Sequence, residues 1–165
     1  MSPWTTSTIF NSIGKNLGEL SLAFPGNNNL TEAESTLKDN SFADLTFKQF
    51  HGLQVKKIHV NAFGESSNSI TFFTCLKCEI QNHQPDYNIW ATLSRLTQIN
   101  QLIIGLNVSE IPSNAFSPGN HNSNHTELRF LDIMETHHNL TVKSGAFQRL
   151  NKLDGITFKH TSISV

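Results

Sequence analysis

Two cysteines separated by two residues, Cys75 and Cys78, have the type and spacing for redox or metal chemistry. A C-x-x-C pair is a dithiol redox motif where a turn or a helix N-terminus lowers a thiol pKa. It is half of a zinc site where a second ligand pair exists, but the chain has only 2 cysteines. The chemistry of the pair therefore depends on the local structure that holds it.

The residues around the pair, 70–80 with the sequence ITFFTCLKCEI, predict a strand in which Cys75 points into the core and Cys78 lies at the end. An extended chain separates the two Cα atoms by about 10 Å. A disulfide needs less than about 7 Å, so we expect two buried thiols that pack in the core. A disulfide made by a local turn, and a redox or metal role, are the alternatives.

Four of the 8 histidines are the other potential ligands, in two groups: His121 with His125, and His137 with His138. Without Cys or carboxylate at ligand spacing, solvent-exposed loops explain them better than a metal site does. The sequence also shows no Gly-rich phosphate loop, nucleophile elbow or pair of catalytic carboxylates. We therefore expect no catalytic residue, no metal, no cofactor and no enzyme activity.

The strand with the cysteines is one copy of a repeated pattern. It fits Leu-x-x-Leu-x-Leu-x-x-Asn/Cys-x-Leu at every fixed position, which is typical of a leucine-rich repeat. Three later copies share this register, and two weaker copies precede it. Their central apolar residues are Leu20, Leu45, Phe73, Leu102, Leu131 and Ile156, at steps of 25 to 29 residues. In the second copy we prefer the frame Phe42, Leu45 and Phe47 to the frame Phe50, Leu53 and Val55, which leaves too short a step.

A second repeated element follows four of the strands and supports the same register. An apolar residue is followed five positions later by Phe, usually with Asn or Gly and then a small residue before it, at 37–42, 58–63, 111–116 and 142–147. Asn and Gly suit tight or left-handed turns. The Phe can pack between the strand side and the outer side of a coil. Between two of these elements, apolar residues at helical intervals over 89–99 predict a helix.

The repeats together predict an α/β solenoid. We expect a leucine-rich repeat horseshoe of about six coils, with a concave parallel sheet and short helices or irregular coils on the convex side. Residues 1–16 would form an irregular N-terminal cap and residues 17–165 the repeat domain. The apolar C-terminal end would be covered by an oligomer partner or by further repeats.

The polar position after each strand should hold a side chain that hydrogen-bonds neighbouring coils. Cys78, Asn107, Thr136 and Thr161 occupy this ladder position. Asn107 also begins one of four N-x-S/T sequons, the others being at Asn29, Asn124 and Asn139. Because a ladder side chain is buried, we expect Asn107 to be unmodified. The other three are the expected glycosylation sites, Asn139 being intermediate because it precedes Leu140.

The amino-acid composition indicates the cellular compartment of the protein and argues against some classes of binding partner. The balance of 12 basic and 13 acidic residues gives no electrostatic footprint for nucleic acid or an anionic membrane. No apolar stretch is long enough for a membrane span. The sequons and the many Asn, Ser and Thr residues favour a secreted, extracellular protein without its signal peptide. Chance sequons in a cytosolic chain are the alternative.

The strand residues between the buried ones should point into the concave side. In three consecutive strands they include several apolar groups. The expected binding residues are Phe72, Thr74, Leu76, Ile103, Phe130, Asp132 and Met134. A contiguous exposed apolar patch marks an interaction site, so we expect a protein ligand or partner subunit. The alternative is that these side chains cover one another on a narrow surface.

The Asn-Ala-Phe elements, the stretch Pro-Asp-Tyr-Asn-Ile-Trp at 85–90 and the element at 111–116 resemble a known family. This is the family of extracellular arthropod leucine-rich repeat proteins like the non-catalytic subunit of oplophorus-luciferin 2-monooxygenase. The resemblance covers about residues 17–165. It implies a secreted protein-binding or accessory module without enzyme activity of its own. The alternatives are an oxidoreductase or luciferase-like subunit that uses Cys75 and Cys78, and a structural extracellular component.

Overall fold

Short parallel strands with little helix between them make up the described part of the chain. The computed structural model describes residues 16–22, 35–42, 44–52, 55–78, 85–106, 110–116, 127–134, 140–159 and 163–164. In chain order the elements are β1 (Asn16–Leu22), β2 (Thr36–Leu37), β3 (Thr46–Gly52), β4 (Lys57–Ile58), a 3-10 helix (Gly64–Asn68), β5 (Phe72–Cys78), a second 3-10 helix (Pro85–Tyr87), α1 (Ile89–Leu93), β6 (Gln101–Leu106), β7 (Glu110–Ile111), β8 (Phe130–Met134), β9 (Leu140–Val142), β10 (Gly155–Lys159) and β11 (Ile163–Ser164). Of the expected cap, only Asn16 lies within the described residues.

The six longer strands form one parallel sheet whose order, β1-β3-β5-β6-β8-β10, is also their order along the chain. The chain therefore returns to the same edge after each strand and advances by one strand, which is the construction of a solenoid. Phe50, Phe73, Leu102 and Leu131 pair across four of the strands and are buried on one face. The predicted solenoid is confirmed. The leucine-rich repeat class and the count of six coils stay predictions.

The chain from the start of one long strand to the start of the next is one circuit of the solenoid. The short strands pair with one another on a separate side of these circuits. β2 pairs with β4, and β7, β9 and β11 form a three-stranded sheet, again all parallel. The first apolar residues of the second repeated element lie in these strands, and Leu37, Ile58 and Ile111 are buried. The repeated element therefore marks the second strand of a circuit.

The turn after these short strands is left-handed in three of the four copies. The backbone φ is 54° at Asn40, 60° at Asn114 and 78° at Gly145. Asparagine and glycine tolerate this region better than other residues do. In the second copy Asn61 does not adopt it, and Gly64 does so instead with a φ of 49°. The predicted role of Asn or Gly in the turn is confirmed where the turn is left-handed.

The phenylalanines that end these elements form much of the core. Phe42 stacks on Phe63 with ring centroids 6.0 Å apart, and Phe63 meets Phe50 of β3 edge-on at 4.9 Å. Farther along the stack, Phe116 and Phe147 stack at 5.7 Å. Such aromatic pairs contribute about 0.5–1.5 kcal/mol beyond the area they bury. The repeated Phe thus packs against its counterpart in the next copy, and Phe63 also packs against the strand side of the core.

The register of the second copy corrects the sequence-based frame. Leu20 of β1 pairs with Phe50 rather than with Leu45, and Phe50 pairs with Phe73. The apolar frame is therefore Phe47, Phe50 and Gly52, and neither of the two frames considered from the sequence is right. A Cβ atom on Gly52 would lie 2.8 Å from the Phe50 ring, which occupies the space of the missing side chain. The apolar pattern in the sequence does not show this frame, because a glycine occupies one of its buried positions.

The expected helix exists but is shorter than the pattern suggested. α1 ends at Leu93, and the Asn88 side chain caps it by accepting a hydrogen bond from the Trp90 N–H at 2.9 Å. Leu96 and Ile99 follow in the non-helical segment before β6 and are still buried. Apolar spacing therefore found the buried face correctly while overestimating the length of regular helix. Within the described residues, no helix is long and apolar enough to cross a membrane.

The two edges of the large sheet differ in how well their apolar side chains are covered. Leu20 in the first strand is 6% exposed, whereas Ile156 at the equivalent position of the last strand is 38% exposed. An exposed apolar side chain at a sheet edge favours association. The expectation that a partner copy or further repeats cover this edge stays a prediction.

Candidate functional site

The two cysteines form a disulfide, which corrects the expectation of two buried thiols. Their Cα atoms are 5.8 Å apart, against about 10 Å for an extended strand. The difference arises because β5 is irregular, and its pairing with β6 shifts register between Cys75 and Cys78. Both residues are buried, so the predicted position in the core is retained. The observed arrangement is the alternative of a disulfide made by local turning.

The bulge in β5 fits into the sheet because the neighbouring strand has a glycine beside it. A Cβ atom on Gly105 would overlap the carbonyl group of Leu76, at the apex of the bulge. Cys78 also differs from the predicted ladder residue, because a disulfide sulfur has no S–H to donate to a neighbouring coil. The other ladder residues, Asn107, Thr136 and Thr161, lie outside the described residues.

The face of the large sheet that is turned away from the core is called the open face below, and three rows of residues cross it. The first row is Glu19, Gln49, Phe72, Gln101, Phe130 and Gly155; the second is Ser21, His51, Thr74, Ile103, Asp132 and Thr157; the third includes Leu76, Gly105, Met134 and Lys159. Six of the seven predicted binding residues lie at paired positions of this face, and the seventh, Leu76, lies in the bulge of β5 with its backbone against Gly105. Their role in binding stays a prediction.

The predicted binding residues differ in exposure. Phe72, Leu76, Ile103 and Met134 are half-buried, whereas Phe130 is 47% exposed. Thr74 is only 6% exposed, and its hydroxyl group has no hydrogen-bond partner within the described structure. An unpaired buried hydroxyl costs about 1–3 kcal/mol. The centre of the open face is therefore closely packed, and the accessible apolar group lies to one side of it, on β8.

Phe130 is exposed because its neighbour in the last strand is a glycine. Phe130 and Gly155 are paired residues of β8 and β10. A Cβ atom on Gly155 would lie 3.8 Å from Cδ1 of the Phe130 ring, which is ordinary van der Waals contact. A side chain at position 155 would thus cover one side of the ring. Its absence leaves a notch beside Phe130.

The charged groups near this notch are paired, with one exception. At the adjoining edge, Arg129 Nη1 lies 3.1 Å from Asp154 Oδ2, and Lys152 Nζ lies 2.7 Å from Glu127 Oε1. Asp132, two residues along β8 from Phe130, has neither an ion pair nor a side-chain hydrogen bond within the described residues. The open face therefore presents a half-buried, unpaired carboxylate next to an exposed aromatic ring.

His51 is an open-face residue that the sequence analysis missed. Its Nε2 lies 3.6 Å from a carboxylate oxygen of Glu19, and its ring centroid lies 4.9 Å from that of Phe72. The frame preferred from the sequence, with Phe42, Leu45 and Phe47 as the buried residues, leaves His51 out of these rows. Reading Phe47 and Phe50 as the buried positions would have put His51 on the open face.

Several predicted sites fall outside the part of the chain that the structure describes. These are the sequon residues Asn29, Asn124 and Asn139 and the histidines His121, His125, His137 and His138. Among the described residues, no group of three or more His, Cys, Asp or Glu side chains could hold a metal ion. The predictions for these sites therefore stay untested by the structure.

No protein-family model matches this sequence, and no curated protein or solved structure is significantly similar to it. The resemblance to extracellular arthropod leucine-rich repeat proteins stays a prediction.

Proposed function

We propose that this chain is a non-enzymatic, extracellular protein-binding or accessory module that contacts its partner with the open face of the large sheet. The observation that carries the proposal is the exposed Phe130 on a sheet face that also carries the half-buried Ile103 and Met134. A solvated sheet face normally carries polar side chains. Aromatic anchors surrounded by well-packed neighbours, by contrast, are typical of the centre of a protein interface.

The finer part of the proposal is a leucine-rich repeat horseshoe of six coils. Its support is the six parallel strands in chain order, each long strand except β5 being followed by a short strand of the outer sheets. The pattern around the central residues of β5, β6, β8 and β10 is that of the repeat. In a curved solenoid of this kind the long strands line the concave side, which is an extended binding surface. The open face would then be that surface.

The disulfide supports the extracellular part of the proposal. Disulfides form and persist in oxidising compartments and are rare in the cytosol. The same bond favours binding over redox chemistry at Cys75 and Cys78, because both residues are buried. A redox pair has to be reached by an attacking thiol. An accessory role in an oxidoreductase complex would need the open face and no sulfur chemistry.

Site-specific photo-crosslinking tests the proposed function. A photoreactive phenylalanine analogue at Gln101 or Thr157 lies on the open face, whereas the matched positions Asp86 and Arg149 are exposed outside the sheet. In an extracellular extract of the source tissue we expect one protein to cross-link from the first pair and not from the second. Addition of Phe130→Ser should remove that product. The same product from all four positions, or its persistence with Phe130→Ser, would contradict the proposal.

A further inference from the structure

We infer that the notch beside Phe130 receives a basic side chain, lysine or arginine, of the partner protein, and that Asp132 binds its positive charge. This inference rests on the proposed function, because it names the chemistry by which the open face recognises a partner. The site consists of Phe130 and Asp132 from β8 and Gly155 from β10. A long side chain with an apolar stem and a cationic end matches its two parts.

The apolar part of the site is one side of the Phe130 ring above Gly155. The ring is 47% exposed, and a Cβ atom at Gly155 would only just reach it, at 3.8 Å. Gly155 lies on the terminal strand of the large sheet, and adjacent strands lie about 4.8 Å apart, so an alkyl chain can lie beside the ring at the edge of the sheet. Lysine and arginine stems commonly lie along apolar surface in this way. A guanidinium or ammonium group near the ring also gains cation–π attraction.

The charged part is the Asp132 carboxylate. Residues two apart on a strand point to the same face about 6.6 Å apart, which is within the reach of a side chain whose stem contacts Phe130. The paired neighbours of Asp132 across the sheet, Ile103 and Thr157, carry no charge. A half-buried carboxylate attracts a cation more strongly than a fully solvated one does. Arginine can bind it with two parallel hydrogen bonds.

Among the described residues, the cations near Asp132 do not pair with its carboxylate. Arg129, the residue before Phe130, is paired with Asp154. Lys159 lies diagonally across from Asp132 in the next strand and takes part in an interaction of its own, of which Asp132 is not a member. The Glu19 carboxylate at the far end of the open face differs, because His51 lies beside it. Asp132 is thus the open-face carboxylate left for a partner's charge.

A small-molecule titration tests the charge directly. The probes are N-acetyl-arginine amide and its uncharged isostere N-acetyl-citrulline amide. The binding of each probe is measured from shifts in the backbone amide NMR signals of the whole chain. We expect the arginine probe to shift the amide signals of β8 and β10 and to bind at least about fivefold more tightly than the citrulline probe. Asp132→Asn should remove that preference. Equal binding of the two probes, or an unchanged preference in Asp132→Asn, would overturn the inference.

Filling the notch tests the position. Gly155→Val places a branched side chain against the Phe130 ring without strain, since its φ is not in the left-handed region. We expect at least about a fivefold loss of arginine-probe affinity with amide spectra that stay dispersed. The matched control is Gly18→Val, at an exposed glycine of β1 whose Cβ would meet nothing within 4 Å. Unchanged probe affinity in a folded Gly155→Val variant would also overturn the inference.

The two experiments separate this inference from the proposed function. If a natural partner cross-links from Gln101 and Thr157 while the arginine probe does not prefer the notch, the open face binds by other chemistry and this inference falls alone. If the probe binds at the notch and no partner cross-links from those positions, the proposed function falls.

Discussion

The carbonyl group of Leu76 lies against the Cα atom of Gly105 on the neighbouring strand, so closely that a Cβ atom at position 105 would overlap it. This contact exists because the disulfide between Cys75 and Cys78 shortens β5 and pushes the intervening backbone sideways. Two distant features of the sequence, a C-x-x-C pair and a glycine in the next strand, are therefore one structural unit. The structure around the disulfide should therefore depend on the glycine at position 105, and the close approach at Gly105 should depend on the disulfide.

Gly105→Ala should destabilise the protein. The added methyl group has to displace the backbone at Leu76, and overpacking of this kind costs about 1–3 kcal/mol. Gly18→Ala is the matched control, because a Cβ there meets nothing within 4 Å. Urea unfolding of the two variants measures the difference. Equal free energies of unfolding would contradict the close approach of β5 and β6.

The disulfide should be measurable as a contribution to stability. In the chain-entropy model, closing a loop as short as the one between Cys75 and Cys78 contributes about 2 kcal/mol. The double variant Cys75→Ala/Cys78→Ala, and the wild type unfolded in reductant, should both lose about this amount. Iodoacetamide should leave the unfolded, unreduced chain unmodified and should label both cysteines after reduction. Labelling without reductant would show free thiols.

The left-handed turn at Asn114, where φ is 60°, should tolerate glycine and resist alanine. Alanine in this region of backbone space costs about 1–2 kcal/mol, so Asn114→Ala should lower the free energy of unfolding by that amount. Asn114→Gly should have little effect. Asn61 occupies the same position in another copy without a positive φ, so Asn61→Ala should change stability less. The same loss at both positions would contradict the turn assignment.

The repeated turn element could be predicted from the sequence because its signals are local. A left-handed backbone favours Asn or Gly whatever the rest of the chain does. Phe63 and Phe116, five positions after the apolar residue of their elements and both buried, show the periodicity without any knowledge of strand pairing. Signals of this kind depend on a few adjacent residues, and the structure confirms them.

The register of the second copy could not be read in the same way, because it depends on volume shared between residues. The Phe50 ring fills the space where a side chain at Gly52 would lie. A pattern of large apolar residues therefore prefers Leu45, which is buried but comes before β3 begins. The misplaced frame also removed His51 from the open face. Gly52 is thus the reason why the sequence predicts the wrong buried positions in β3 and leaves His51 out of the candidate site.

The disulfide was missed for a different reason. The sequence correctly predicts a strand around Cys75 and Cys78, but the expected distance between their Cα atoms holds only for a regular strand. The bulge that makes the bond possible is accommodated by Gly105, about one circuit later in the chain. The exposure of Phe130 likewise depends on Gly155 in the next strand. Both features require the pairing of distant strands, which spacing along the chain does not show.

Glycosylation tests the extracellular proposal together with the ladder. Asn107 follows the buried Ile104 of β6 by three residues, at the ladder position that the repeat pattern predicts, and it should be unglycosylated. Asn29 and Asn124 should carry glycans in natively expressed protein, with Asn139 intermediate. Removing a buried ladder amide would leave backbone groups unpaired at about 1–3 kcal/mol each. Mass spectrometry of glycopeptides measures the occupancy of each site. A glycan on Asn107 together with an unglycosylated Asn124 would show that the predicted register of the fourth repeat is wrong.

A buried serine should hold the segment before β3 in place. The Ser66 hydroxyl donates a hydrogen bond to the carbonyl oxygen of Leu45, and both residues are buried. Leu45 precedes the strand, so this side chain does for its carbonyl what sheet pairing does within β3. Ser66→Ala removes the donor and leaves a buried carbonyl without it, which costs about 1–3 kcal/mol.

The matched control for Ser66→Ala is Ser67→Ala. The Ser67 hydroxyl donates to the Gly64 carbonyl oxygen of its own turn at 2.8 Å and is partly exposed, so its loss should change the free energy of unfolding by less than about 0.5 kcal/mol. Urea unfolding gives the difference in stability. Hydrogen exchange should show faster opening of β3 amides in Ser66→Ala alone. If both variants unfold at the same urea concentration, the bond between Ser66 and Leu45 does not hold this segment.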